Sequence, residues 1–287
     1  MNIGPYLEFD AGEADVHHDI GNTGAVEMSV VSDSDAESIP RPMTVLKYVA
    51  EGAEIYSYGG RTYRVPANSF LVLPEGNRGA ATIDRTLGPA VGMCIFLPRR
   101  GQFCGATDSA PIEAPVVFPA RSSRLGGVIA STHRRIFSAP ASERPALSRD
   151  LLDYLDTGME AFLGEATALI DQFDSVKRAT RLEHLRRLNI ARHYLHEITD
   201  RIVDLAELAR WSGMSRFQLA RLFAQAFGEP PATYHRSIRL DAARVRMRES
   251  GETCAEIAHS HGFADSAHFS RAYKTRFGES PSAARFQ

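Results

Sequence analysis

One stretch of the chain occurs twice. Ser215-Arg-Phe-Gln-Leu-Ala-Arg-Leu-Phe-Ala-Gln-Ala-Phe227, followed by Gly228-Glu-Pro-Pro231, returns 50 residues later as Asp265-Ser-Ala-His-Phe-Ser-Arg-Ala-Tyr-Lys-Thr-Arg-Phe277, followed by Gly278-Glu-Ser-Pro281. Leu219 then matches Phe269, Arg221 matches Arg271, Phe223 matches Tyr273 and Phe227 matches Phe277. Upstream the offset is 49, pairing Ala206-Glu-Leu-Ala209 with Ala255-Glu-Ile-Ala258 and Gly213 with Gly262. Apolar residues at three- and four-residue intervals predict a helix with one buried face. Ser215 or Asp265 suits its first cap, and the preceding glycine suits a left-handed turn residue. Each copy thus predicts a short helix, a turn and a second helix, the pattern of a helix-turn-helix unit.

Between the copies, Pro231 to Glu249 reads as a longer helix, with proline at its start and Ser250-Gly251 at its end. At 1.5 Å per residue it spans about 28 Å, which would hold the two second helices near one DNA turn, about 34 Å, apart. Charge agrees with that use. Residues 171–287 hold 19 Lys and Arg against 14 Asp and Glu, a net of +5, leaving 14 against 21, a net of -7, for residues 1–170. The repeat-bearing part is the one a polyanion would approach.

The rest of the chain reads as globular, at 44% hydrophobic residues over 287 positions. Its start lacks the basic and apolar regions of a signal peptide, and no apolar run approaches about 18 residues, so a cytoplasmic protein without membrane insertion is expected. Cys94, Cys104 and Cys254 have no paired spacing, which suggests neither disulfides nor a zinc knuckle. Residues 1–40 are acidic and contain Ser32-Asp-Ser-Asp-Ala-Glu-Ser38, a stretch with little to bury and read as partly mobile.

From Met43 to Leu97 short β-rich runs alternate with Gly and Pro punctuation, as in an antiparallel barrel or jelly roll. Gly60-Arg-Thr-Tyr-Arg-Val-Pro-Ala-Asn-Ser-Phe-Leu-Val-Leu-Pro-Glu-Gly76 resembles a cupin-like barrel, here over residues 41–120. A metal-dependent enzyme of that type would gather imidazoles and a carboxylate from neighbouring strands. Only His17, His18 and His133 precede residue 171, and the paired His17 and His18 stand in the acidic leader. No catalytic residue, metal ligand or cofactor is therefore expected. A barrel can instead hold one ligand. Tyr56 and Tyr58 share a strand face, and Arg61, Arg64, Arg78 and Arg85 could supply charge, so an anionic or hydroxylated effector is expected at Tyr56, Tyr58, Arg61, Arg64 and Arg78. Two alternatives stay open, a cupin-type metalloenzyme fused to a DNA-binding domain and a barrel that only oligomerises.

After Pro119 the period becomes helical. Arg124 to Ser138 and Leu147 to Phe173 predict two helices, the second with a broad face of Leu151, Leu155, Met159 and Phe162. Within residues 121–173 that face would lie against the barrel or form a dimer seam, and a homodimer is the expectation. Residues 174–198 predict a further helix opening the basic part, so the fold class is α+β, with an all-α domain at 174–287.

Here the sequence closely resembles the AraC/XylS family of bacterial transcription regulators. The resemblance rests on Ala206-Glu-Leu-Ala209, Gly213-Met-Ser215, Leu219-Ala-Arg-Leu-Phe223, Phe227-Gly-Glu-Pro-Pro231, Ile238-Arg-Leu-Asp-Ala-Ala-Arg244, Gly262-Phe263, His268-Phe-Ser-Arg271, Phe277-Gly278 and Pro281. It implies promoter DNA, a small-molecule effector and RNA polymerase as partners. Carried over position by position, the first reading helix presents Arg216, Phe217, Gln218 and Arg221 to DNA, and the second Ser266, Ala267, His268 and Arg271. Arginine suits guanine and glutamine adenine, so Arg221 and Arg271 are expected at bases; Gln225 and Lys274, a turn further on, are expected at phosphates.

Overall fold

The computed structural model describes residues 6–9, 24–31, 36–38, 44–58, 60–74, 79–84, 87–97 and 115–284. The chain divides into two compact units, Met1–Asp171 and Gln172–Gln287.

In the first unit, strands β1 (Tyr6–Phe9), β2 (Ala25–Val31), β3 (Ala36–Ser38), β4 (Thr44–Glu51), β5 (Ala53–Tyr58), β6 (Arg61–Pro66), β7 (Ser69–Leu73), β8 (Gly79–Ile83), β9 (Ala90–Leu97) and β10 (Val116–Pro119) precede helices α1 (Arg124–Ser138) and α2 (Arg144–Asp171). Six strands form one sheet in the order β1-β2-β9-β4-β7-β10, and four form another in the order β3-β8-β5-β6. Neighbours are antiparallel except β1 with β2. Alternation along β4 sends Leu46 and Tyr48 to one face and Val45, Lys47 and Val49 to the other. On the second face Val49, Leu71 and Leu73 share an apolar cluster with Tyr56, Tyr63 and Val65 of the smaller sheet, so the two sheets enclose one core. On the first, Phe70 and Phe118 hold the Phe162 ring of α2 at 5.6 and 4.9 Å, and Tyr48 meets His133 of α1 at 5.4 Å.

Two expectations change here. The acidic residues 1–40 include β2, whose Ala25, Val26 and Met28 are buried beside β9; acidic flanks hid a strand with an apolar side to cover. The α2 face of Leu151, Leu155, Met159 and Phe162 is buried within its own unit, so those side chains are not an open seam.

The second unit is helical: α3 (Arg178–Glu197), α4 (Leu205–Ser212), α5 (Arg216–Phe227), α6 (Pro231–Glu249), α7 (Cys254–Ser260), α8 (Ser266–Phe277) and α9 (Pro281–Ala284). Pro231 opens α6, where its fixed φ fits and its missing N–H costs nothing. No helix among the described residues is long and apolar enough to cross a membrane.

Candidate nucleic-acid interface

The repeat read from the sequence is a repeat in space, and it is longer than the sequence suggested. Asp204 caps α4 through the Glu207 N–H (2.7 Å), and Thr253 with Glu256 forms a capping box on α7. Gly213 and Gly262 turn the chain at φ 65° and 69°. Ser215 then accepts the Gln218 N–H at 3.2 Å, and Asp265 the His268 N–H at 2.6 Å, which starts α5 and α8 alike. Both helices stop at a left-handed glycine, Gly228 or Gly278.

A third helix belongs to each copy. Arg187 of α3 donates to the Gly213 carbonyl, and Arg239 of α6 donates to those of His261 (2.8 Å) and Gly262 (3.0 Å). Arg192 lies over the Phe227 ring at 4.2 Å, and Arg244 over Phe277 at 4.6 Å. Leu188, Ala191 and Leu195 fill the first core where Leu240, Ala243 and Met247 fill the second. The offset between these helices is 52 positions (Arg187 to Arg239), against 49 at the turn and 50 along α5 and α8. Loop lengths broke the register, and the shared signal is an arginine five residues before another on each helix.

Each copy buries one face of its second helix and leaves the other open. In α5, Leu219, Leu222 and Phe223 are buried; in α8, Phe269 and Tyr273. Arg216 is exposed, Phe217 is 80% exposed, and Arg221 is exposed with Asp174 at 3.6 Å. Gln218 is half-buried, its Nε2 3.2 Å from Nε2 of His184. Gln225 is held by the fold, its amide donating to the Gln172 carbonyl at 2.5 Å, so the expected phosphate contact is engaged elsewhere. Ser266, Ala267, His268, Arg271 and Lys274 are exposed, with His268 edge-on to Phe263 at 5.9 Å. Trp211 stacks on Tyr194 at 4.8 Å, a packing contact.

Arg186 and Arg187 bond the Glu183 carboxylate at 2.9 and 2.7 Å; the Arg186 bond, against the opposing effect of burial and with help from Arg187, holds that carboxyl down to about 2. Burial lowers the pKa of His184, and Arg187 and Arg221 add to the shift.

The proposed effector residues divide in the first unit. Tyr56 is 2% exposed in the inter-sheet cluster with Tyr58 beside it, and the exposed Arg61 stands opposite Tyr58 where β5 leads into β6. Arg64 does not join them. Strand alternation turns it to the other face of its sheet, where Asp84 binds it at 3.2 Å. Arg78 and Arg85 lie outside the described residues, as do His17, His18 and Cys104. The sequence reading missed a buried pair on the inner faces, Lys47 and Glu54, 2.5 Å apart. Burial works against the Lys47 ammonium, yet Glu54 above all, then Cys94 and Glu27, raises its pKa above the usual lysine value. A lone lysine between Val45 and Val49 on an inward face was the available signal. Among the described residues no three His, Cys, Asp or Glu side chains group as a metal set.

Residues 208–287 match a family model described as a helix-turn-helix domain. The chain is 36% identical over 89 residues to the uncharacterized HTH-type transcriptional regulator YidL of Escherichia coli, covering 31% of this chain and 30% of that one. It is 26% identical over 250 residues to the HTH-type transcriptional regulator ExsA of Pseudomonas aeruginosa, covering 78% of this chain and 88% of that one. A solved transcriptional regulator from Chromobacterium violaceum, described as AraC-type DNA-binding domain-containing, is 30% identical and covers 35% of this chain and 90% of its own, with a TM-score of 0.34. The chain spans less than a third of the length of YidL and of the Pseudomonas aeruginosa regulator GbdR.

Proposed function

The chain belongs to the AraC/XylS family of bacterial transcription regulators, and on that premise we propose that it regulates transcription in the cytoplasm by binding promoter DNA through residues 174–287. The observation that carries the reading is the equivalence of the two three-helix units. Each fixes its second helix by the same cap, turn glycine and arginine, and leaves that helix one polar, cationic face. Two such faces joined by a 19-residue helix suit successive major-groove segments on one side of a duplex. Arg216, Phe217, Gln218 and Arg221 are the proposed contacts of the first helix, and Ser266, His268, Arg271 and Lys274 those of the second. Retention of duplexes from a random-sequence pool by the full chain tests this. Affinity should fall linearly on logarithmic axes with salt, and absence of any retained duplex at low salt contradicts it.

The cupin-like reading of residues 41–120 belongs to the same proposal, with an anionic or hydroxylated effector near Tyr56, Tyr58 and Arg61 and a homodimer as the working form. Support comes from the inward-facing Lys47 and Glu54, polar groups that an otherwise apolar core does not need. An effector shifts regulation only by binding two arrangements unequally. A thermal-shift screen of carboxylates, phosphates and polyols should find a stabilising compound that also changes DNA affinity. A flat screen favours a barrel that only oligomerises.

A further inference from the structure

Along α8 the second unit has a groove against α6 of about 410 Å³, lined by Arg236, Ser237, His268, Arg271, Thr275 and Arg276. Three guanidiniums face it, and they are not equivalent. Arg276 is neutralised by Asp241 through two bonds of 3.0 and 2.6 Å. Arg236 and Arg271, both exposed, have no acidic partner among the described residues. The first unit differs at the corresponding places. Position 236 matches His184 by the 52-residue offset, and His268 matches Gln218; those two side chains meet at 3.2 Å, while Arg221 has Asp174 near it.

Two uncompensated cations facing one cavity repel each other, and a shared anion relieves that repulsion. A guanidinium matches two oxygens of one phosphate, so two arginines from two helices can embrace it from two sides. Ser237 adds a neutral hydroxyl on the same wall. Resting on the DNA-binding reading above, we propose that Arg236 and Arg271 grip one backbone phosphate of the duplex. Arg271 is then a positioning contact, unlike its repeat partner Arg221. The second unit anchors the protein, and the first, through Arg216, Phe217 and Arg221, supplies more of the base discrimination. Arg236 is a DNA contact that the helix-turn-helix repeat alone does not indicate, because it lies on the connecting helix.

The test uses the full chain and a duplex it retains from a random-sequence pool, with a set of single-base-pair variants of that duplex. Arg236→Ala and Arg271→Ala should each weaken binding to all the variant duplexes by the same factor, with their ranking unchanged and the slope of log affinity against log salt shallower by less than about 0.9. The double variant should lose about 0.9, the value of one phosphate, since both arginines share it, and Arg236→Lys should bind closer to the parent than Arg236→Ala. Arg221→Ala should instead flatten discrimination at one base pair. The proposal is overturned if the double variant keeps the parental slope or loses about 1.8, the value of two separate phosphates, or if Arg271→Ala flattens discrimination at one position tenfold or more. A parent that retains no duplex defeats the DNA-binding reading itself; a binding parent with indifferent variants defeats the phosphate grip alone.

Discussion

At the residue scale, the groups with a clear cost are polar side chains without room to be polar. His133 is 4% exposed, neither ring nitrogen has a hydrogen-bond partner among the described residues, and burial, aided by Arg134, lowers its pKa to about 4. Unfolded histidine titrates near 6.5, so between those values the unfolded chain binds the extra proton. Stability is therefore full above about pH 6.5 and falls as pH drops toward 4, by up to about 3 kcal/mol. His133→Leu should remove that dependence, read as urea midpoints at pH 7, 6 and 5; parallel curves for parent and variant would contradict it. Glu183, held down to about 2, contributes stability that is lost lower, between about 4.5 and 2, mostly below the His133 window. Lys47 and Glu54 behave as a pair: Glu54→Gln leaves a buried ammonium unmatched and should cost about 3 kcal/mol, whereas Lys47→Met with Glu54→Leu should recover most of it. Equal losses in the single and double variants would show that the pair is not the cause. On the reading helix, Arg221→Ala should weaken specific binding by about 1 to 3 kcal/mol without changing the urea midpoint, because the side chain is exposed.

At the element scale, the two turns that look equivalent in sequence are not equally constrained. Gly213 and Gly262 both need a left-handed backbone, but a Cβ on Gly213 meets only Arg187 Nη1 at 3.8 Å, while one on Gly262 would sit 2.8 Å from the Arg201 Cα. Gly213→Ala should cost about 1 kcal/mol and Gly262→Ala about 3, as denaturant midpoints will show. Equal costs would mean that backbone strain alone decides. The short helices, their caps and their glycines were legible because each follows from local chemistry repeated twice: Ser215 and Asp265, Gly228 and Gly278. Arg187 and Arg239 were not, since their partners are turn carbonyls 26 and 23 residues away and the offset changes at each loop. In the sheets, alternation identified Tyr56 and Tyr58 as neighbours on one face, but adding Arg64 to them ignored the same alternation. The broad face of α2 was visible, and what covers it was not, because periodicity states only that a face is buried.

At the scale of the whole molecule, the acidic first unit and basic second unit assign phosphate attraction to one of two compact bodies. Duplication then determines how that attraction is used. Under the proposed function, the two equivalent second helices, joined by α6 over about 28 Å, would meet two DNA segments on one face of the duplex. Their outward residues differ, Arg216 and Phe217 in one and Ser266 and Ala267 in the other, so the scaffold repeats while its outward chemistry does not. A hydroxyl-radical footprint of the full chain on a duplex selected from a random pool measures this most directly. The duplicated head predicts two protected patches on one face, about 10 base pairs or 34 Å apart. A single patch, or two on opposite faces, would contradict it.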